Sequence, residues 1–199
     1  MNGNSILSSM ILERDFYTRE DVVTIAQELL GKVLFSNIDQ KITAGIITEV
    51  EAYCGRNDKA CHANNNLRTA RTEIMYQEGG KAYVYLCYGI HHLFNVVTNR
   101  EGMADAVLIR ALKPYEGVDT MLKRRKMNNK NISGGPGTLT QAMGIKTLHN
   151  KTDLLGNKIW IQDKGIKVPE NAIQVSERIG VDYAGEDAKK PWRFLINDV

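Results

Sequence analysis

The 199-residue sequence has no apolar run as long as a transmembrane helix, and its start lacks the basic residues and long apolar core of a secretion signal. We therefore expect a cytoplasmic protein without a membrane partner. Only three cysteines occur, and their odd number and single positions are typical of reduced thiols. Cys54, Cys61 and His62 would need a borrowed fourth ligand to hold zinc, and the zinc deaminase signature is absent, so we predict no metal and no cofactor.

The composition is that of one folded domain. Hydrophobic residues make up 43% and charged residues 25% of the chain, both ordinary for a globular protein. A chain of 199 residues is long enough for one sizeable core. Residues 1–11 show little pattern and are predicted to form a flexible lead-in, and residues 12–199 are predicted to form a single domain. We expect a monomer.

Positive charge is concentrated in the middle of the chain. Residues 61–140 carry eleven basic and six acidic side chains, whereas the whole chain has a net charge of +3. The basic run 123–126, together with Arg110, Lys113 and Lys130, has the charge to neutralise nucleic-acid phosphates. The alternative is a solvated helix end and loop.

Hydrophobic periodicity predicts mainly strands, with three helices. We expect the first helix to begin with Thr18 as its N-cap and to end at Gly31. The predicted helices cover residues 18–30, 116–125 and 138–143, and the predicted strands cover 32–36, 44–53, 82–87, 93–98, 104–112, 157–161, 172–176 and 192–196. Because the strands are joined mainly by short turns without a βαβ rhythm, we predict an α+β fold, with a curved antiparallel or mixed β-sheet and a few helices.

One strand and the loop that follows it form a candidate site. Residues i and i+2 of a strand share a face, so Glu49, Glu51 and Tyr53 are predicted to point the same way. Gly55 ends the strand, and the polar loop after it returns His62 to the same neighbourhood. A carboxylate, a phenol and an imidazole in one pocket suit the activation of water. The two glutamates fit the solvated face of an ordinary strand equally well.

A second predicted hairpin carries tyrosines and one polar position in an apolar run. Tyr83 and Tyr85 share a face of its first strand, and Asn95 lies in the second. A buried asparagine needs hydrogen-bond partners, so Asn95 is either a satisfied core amide or a group that faces a ligand. We assign Tyr83 to the core.

Several separated motifs occur in one order along the chain. They are residues 48–53, His62, 68–71, 83–85 with Tyr88, Gly89 and Asn95, 108–112 with Pro114, 135–136 with Leu139, Gln141 and Ala142, 178–181, and 190–194. In this order, and over nearly the whole chain after residue 12, the sequence resembles the alkyladenine DNA glycosylase family. Many ordered motifs together are more specific than any one of them.

The resemblance implies an activity. The family hydrolyses the bond between a damaged purine and deoxyribose after the base has been flipped out of the duplex. For this chain it implies a base-excision-repair enzyme that removes alkylated purines, hypoxanthine and ethenoadenine from double-stranded DNA and leaves an abasic site. No lysine is singled out by position as a Schiff-base nucleophile, which favours a monofunctional DNA glycosylase. The similarity is to the compact bacterial form, so we expect association with the nucleoid through DNA.

The resemblance also implies residue roles. Glu51 matches the catalytic glutamate that deprotonates the attacking water, and Tyr88 matches the tyrosine that enters the minor groove. Asn95 matches the pocket asparagine that excludes guanine by crowding its exocyclic amine. The other implied residues are Tyr53, His62, Tyr85 and Arg110 around the flipped base, and Arg71 and Met75 at the DNA surface.

One position departs from the family pattern, and one alternative function stays open. Thr138 stands where the family favours lysine or arginine, so one phosphate contact is not expected here. A non-catalytic nucleic-acid-binding module would use the same basic residues and tyrosines, with Glu51 as part of the scaffold. An enzyme would need Glu51 for catalysis but not for binding.

Overall fold

The computed structural model describes residues 11–126 and 131–197 of the chain. The strands are β1 (Val33–Ile38), β2 (Lys41–Cys54), β3 (Ala82–Cys87), β4 (His91–Thr98), β5 (Asp105–Glu116), β6 (Ile159–Gln162), β7 (Ile173–Ser176) and β8 (Arg193–Ile196). The α-helices are α1 (Arg14–Thr18), α2 (Val22–Leu29), α3 (Val118–Arg125) and α4 (Pro136–Met143). Short 3-10 helices lie at Asn64–Asn66, Glu73–Tyr76, Thr147–His149, Glu170–Ala172 and Asp182–Lys189.

The eight strands form one antiparallel sheet. Six of them follow the order β3-β4-β5-β2-β1-β6, and β8 pairs with both β2 and β7. The long strands β2 and β5 lie in the middle, and their pairing shifts register near Gly45 and on both sides of Glu49. Such register shifts bend a strand and increase its twist. The predicted α+β fold with an antiparallel sheet is confirmed.

The helices cover one face of this sheet and close the main core. Helix α2 buries Val22, Ile25, Ala26 and Leu29, which is the apolar stripe that its sequence periodicity predicts. Helix α4 buries Leu139, Thr140, Ala142 and Met143 and ends at Gly144, whose φ of 73° is left-handed.

The predicted start of the first helix is wrong. Asp21, not Thr18, is the N-cap of α2, and its carboxylate accepts a hydrogen bond from the backbone N–H of Val23 at 2.9 Å. Thr18 is the last residue of α1, a helix that we did not predict. Both residues are good N-caps, so local preference alone does not decide between them.

Several other element boundaries differ from the predictions by a few residues, and the end of β5 is one example. Strand β5 continues through Pro114 to Glu116 instead of ending before the proline. Pro114 lies opposite Gly45, where the register of the β2–β5 pair shifts, and an irregular pairing tolerates a residue without an N–H. The predicted lead-in lies outside the described residues except for Ile11, which forms a β-bridge with Gln162.

A smaller apolar cluster lies apart from the main core and supports the candidate site. Its members come from the irregular segment after β2 and from β3, β4 and the start of β5; they are Cys61, Ala63, Ile74, Met75, Tyr76, Tyr83, Val97, Ala104 and Ala106. Tyr53 and Tyr85 pack against it. All three cysteines are free thiols. No helix among the described residues has the length and apolar character needed to cross a membrane.

Candidate active site

An open pocket of about 370 Å³ lies between the end of β2, the loop after it and the β3–β4 hairpin. Its walls include the aromatic residues Tyr53, His62, Tyr83 and Tyr85. Asn95 and Arg110 contribute polar groups from β4 and β5. The structure therefore brings together the five residues that the sequence predicted around a base. Tyr83, predicted in the core, is buried at 2% exposure and also lines the pocket.

The Glu51 carboxylate lies directly behind the pocket wall. Its side chain is fully buried, and three donors hold it. The backbone N–H of Ile179 donates to Oε1 at 2.8 Å, and the Tyr53 hydroxyl donates to Oε2 at 2.7 Å. Arg110 Nη1 lies 3.3 Å from Oε2. Ile179, Tyr53 and Arg110 all line the pocket, so each of the three donors to the carboxylate belongs to a pocket residue.

The neighbouring Glu49 has a different set of partners. Its Oε1 accepts from Arg110 Nε at 2.8 Å and from Arg193 Nε at 2.6 Å. Only 15% of its side-chain surface is exposed. Glu49 thus anchors Arg110, which in turn contacts Glu51. The alternative that both glutamates occupy a solvated strand face is wrong.

The aromatic side chains pack against one another around the pocket. The rings of His62 and Tyr85 are edge-on with centroids 4.8 Å apart, and those of Tyr83 and Tyr85 are 5.2 Å apart. Burial, and secondarily the Glu51 charge, raises the pKa of Tyr53 far above its usual value, so its hydroxyl remains a donor. Asn95 is 4% exposed and its side-chain amide donates to the Tyr83 carbonyl at 3.1 Å, which fixes its orientation.

His62 is neutral at physiological pH. Burial, and secondarily the nearby Arg71 guanidinium, lowers its pKa to about 4. Both ring nitrogens have partners: Nδ1 lies 2.9 Å from the Tyr83 hydroxyl, and Nε2 lies 3.4 Å from Arg71 Nη2. The imidazole is therefore held within a network of protein groups.

Tyr88 and Met75, both predicted to contact DNA, differ strongly in exposure. Tyr88 is 90% exposed at the tip of the β3–β4 hairpin. Its φ is 50° and that of Gly89 is 74°, so the two residues form a tight left-handed turn that projects the side chain. Met75, expected at the DNA surface, is 1% exposed; it lines the pocket and belongs to the smaller apolar cluster. Apolar packing of the 3-10 helix that contains it explains this burial.

A buried ion pair that the sequence did not reveal supports Tyr53. Arg178 binds Asp58 through both terminal nitrogens, at 2.5 and 2.8 Å, and both side chains are fully buried. The Arg178 guanidinium lies 4.8 Å from the Tyr53 ring centre and 5.2 Å from that of Trp192. The pair also places Ile179, the donor to Glu51. The only signal in the sequence was the position of Arg178 in a matching motif.

Part of the basic run serves the fold. Arg124 donates to the Ile38 and Ala142 carbonyls at 2.9 and 3.2 Å, and Arg125 donates to the Ile132 carbonyl at 3.0 Å. The solvated-end alternative therefore does not describe these two side chains. Thr138 donates to the Gly135 carbonyl, and Lys130 lies outside the described residues.

Comparison with known proteins gives one consistent family. The methylpurine-DNA glycosylase family matches residues 15–199. A protein of Chlamydia felis is 46% identical over 190 residues, which cover 94% of this chain and 96% of that protein. A protein of Chlamydia abortus is 45% identical, covering 94% and 98%. One of Alkaliphilus oremlandii is 43% identical, covering 95% and 96%. All three are named as candidate 3-methyladenine DNA glycosylases.

Proposed function

The chain belongs to the methylpurine-DNA glycosylase family, and we propose that it releases 3-methyladenine and other damaged purines, including hypoxanthine and ethenoadenine, from duplex DNA. It is a DNA glycosylase, a hydrolase of N-glycosyl bonds, so the alternative of a non-catalytic binding module is set aside. The observation that carries the proposal is the fully buried Glu51 carboxylate directly behind the wall of an aromatic pocket.

The pocket suits a base that has left the duplex. An enzyme that acts on a paired base must extrude it at a cost of a few kcal/mol, which is lowest for damaged or mismatched bases. Stacking on an aromatic side chain returns about 1–3 kcal/mol per base. Tyr53, His62 and Tyr85 provide the aromatic surface. The cost of extruding the base and the free energy gained by stacking are similar in size. Bases that already pair poorly, for which the cost is lowest, are therefore favoured.

Glu51 is the proposed general base. A carboxylate accepts about four hydrogen bonds, and three donors hold this one, which leaves one lone-pair site for a water molecule. The water gives its proton to Glu51 while its oxygen attacks the anomeric carbon, and the electron pair of the N-glycosidic bond leaves with the purine. Arg110 holds the carboxylate in place. A positioned general base contributes about 10²–10⁴ in rate.

Asn95 and the rim complete the proposed site. The amide of Asn95 is fixed by its bond to the Tyr83 carbonyl, and we assign it the exclusion of guanine through contact with the exocyclic amine. Tyr88 occupies the space that the flipped base leaves in the minor groove, since an exposed wedge offsets the cost of unstacking. Arg71 is an exposed residue that lines the pocket, and we assign it to the DNA surface. Met75 contributes packing to the pocket wall.

The proposed product is an intact strand with an abasic site. Strand cleavage by a bifunctional enzyme needs an amine that forms a Schiff base with the sugar. Among the described residues, no lysine lines the pocket. Borohydride trapping should therefore yield no covalent complex with DNA, and a trapped adduct would refute monofunctional chemistry.

The test is single-turnover release of 3-methyladenine, hypoxanthine and ethenoadenine from duplex DNA by the parent and Glu51→Gln. We expect the variant to lose about 10²–10⁴ in rate while it retains DNA binding. Glu73→Gln is the matched control, because Glu73 is an exposed carboxylate paired with Arg68 away from Glu51. Equal rates for parent and Glu51→Gln would refute the assignment of the base. A parent that binds DNA but releases none of the three would refute the proposed substrates.

A further inference from the structure

Arg71 is bound to the aromatic pocket itself. Its Nε donates to the Tyr83 hydroxyl at 3.2 Å, its Nη2 lies 3.4 Å from His62 Nε2, and its Cζ lies 4.6 Å from the Tyr85 ring centre. No acidic side chain among the described residues forms an ion pair with it. A lone guanidinium that contacts three pocket rings has a role in the pocket as well as any role at the DNA surface.

The hydrogen-bond partners in this cluster favour one arrangement of its protons. A guanidinium only donates, so His62 Nε2 must accept from Arg71. The single N–H of neutral His62 is then on Nδ1 and donates to the Tyr83 hydroxyl oxygen. That oxygen therefore accepts two hydrogen bonds, one from His62 and one from Arg71. The hydrogen of the Tyr83 hydroxyl has no hydrogen-bond acceptor among the described residues.

We propose that Arg71 is a positioning residue that makes the Tyr83 hydroxyl the hydrogen-bond donor to the flipped purine. This rests on the proposed function. Tyr83 lines the pocket beside His62 and Tyr85. Its hydroxyl can therefore donate to an acceptor on the edge of a bound purine, which is a ring nitrogen or a carbonyl oxygen. Arg71 acts through His62 and Tyr83 and makes no bond to the base itself.

The proposal predicts a dependence on the lesion. A neutral purine such as hypoxanthine gains negative charge as the glycosidic bond breaks, and a donor at its edge stabilises that charge. A cationic alkylated purine leaves as a neutral base and needs the donor less. Arg71 and Tyr83 are therefore specificity-determining residues for neutral lesions.

The test is a double-mutant cycle with Arg71→Met, Tyr83→Phe and the double variant. Tyr83→Phe keeps the ring and Arg71→Met keeps much of the side-chain length. We expect each single variant to lose about two- to tenfold in single-turnover hypoxanthine release, the usual range for one hydrogen bond, with a smaller loss for 3-methyladenine. The double variant should lose no more than either single variant. Losses that multiply, or equal losses for both lesions, would overturn the proposal.

A contact between Arg71 and a DNA phosphate predicts a different result, which the salt dependence of DNA binding would show. Removal of such a contact lowers the slope of log binding constant against log salt concentration by about one. We expect the slope of Arg71→Met to equal that of the parent. A reduced slope together with independent losses in the cycle would assign Arg71 to the DNA backbone and overturn the positioning role.

The tautomer of His62 provides a readout that needs no catalysis. Nitrogen NMR of the parent should show the proton of His62 on Nδ1, and Arg71→Met should shift the population toward Nε2. A parent with its proton on Nε2 would overturn the inference even if the enzyme is active. A parent with the Nδ1 proton but no base release would leave the geometry supported and would refute the proposed function instead.

Discussion

Replacement of Asp58 by alanine tests the role of the buried ion pair beneath Tyr53. The carboxylate binds both terminal nitrogens of Arg178, and neither side chain is exposed. Asp58 also accepts from the backbone N–H of Ala60 at 3.1 Å. The variant therefore leaves a buried guanidinium without its counter-charge and a backbone donor without its acceptor.

The expected loss is large for a single substitution. Removing one partner of a buried ion pair costs about 3–5 kcal/mol, because the remaining charge is buried alone. For a domain of this size each kcal/mol lowers the melting temperature by about 2–4 °C. The melting temperature of Asp58→Ala should therefore fall by about 6–20 °C.

Two further variants separate the cost of an unpaired buried charge from the cost of losing a carboxylate in general. Glu73→Ala removes a partner of the exposed Arg68–Glu73 pair, whose side chains are 57% and 45% exposed, and should cost about 0–1 kcal/mol. Asp58→Ala combined with Arg178→Met removes the stranded charge and should recover part of the lost stability. The assay is urea and thermal unfolding of the three variants and the parent. Equal losses for Asp58→Ala and Glu73→Ala, or no recovery in the double variant, would refute the reasoning.

Three other predictions follow from the site. Tyr53→Phe removes the hydroxyl donor to the buried Glu51 carboxylate and should lower the free energy of unfolding by about 1.5–3 kcal/mol; an unchanged urea midpoint would contradict this. Tyr88→Ala should leave the melting temperature unchanged, because the side chain is 90% exposed, while base release falls more on duplex than on single-stranded DNA; equal falls would argue against a wedge. Because folding lowers the pKa of His62 to about 4, the unfolded chain binds the proton first as pH falls below about 6.5. The stability that His62 contributes is therefore complete above that pH, and about 2 kcal/mol of it should be lost by pH 5. His62→Gln should lack this part of the pH dependence, and an equal loss in the variant would contradict the assignment.

The order and type of most elements follow from local pattern. Runs of strand-forming residues between turn residues predicted the eight strands, and the apolar stripe of α2 predicted the face that it buries. The errors lie where two local signals compete. Thr18 and Asp21 are both suitable caps, and the additional helix α1, which ends at Thr18, is anchored through Arg14 to Asp153 and the Gly79 carbonyl. These partners are distant in sequence, so the pattern near residue 18 does not contain them.

The sequence predicted which side chains of β2 share a face at the candidate site, but it did not predict the groups that hold them there. Alternation along β2 placed Glu51 and Tyr53 on one face, and their hydrogen bond agrees with it. The donor from Ile179 is a backbone N–H from 128 residues away. A backbone N–H is present at every residue except proline, so no residue type marks it in the sequence. Met75 was misplaced for a related reason: its 3-10 helix packs against β4 and β5, which are distant in sequence.

Register shifts in the central strand pair explain why one arginine contacts both glutamates. In the β2–β5 pair, Glu49 lies opposite Ala111 and Val50 opposite Ile109, so Arg110 is the extra residue of a bulge. A bulge re-aims the side chain of its unpaired residue. Arg110 consequently contacts Glu49 at 2.8 Å and Glu51 at 3.3 Å. In a regular strand pair, Arg110 would lie opposite a single residue of β2. Alternation assumes such regular pairing, so it placed Glu49 and Glu51 on the same face and could not assign them different partners.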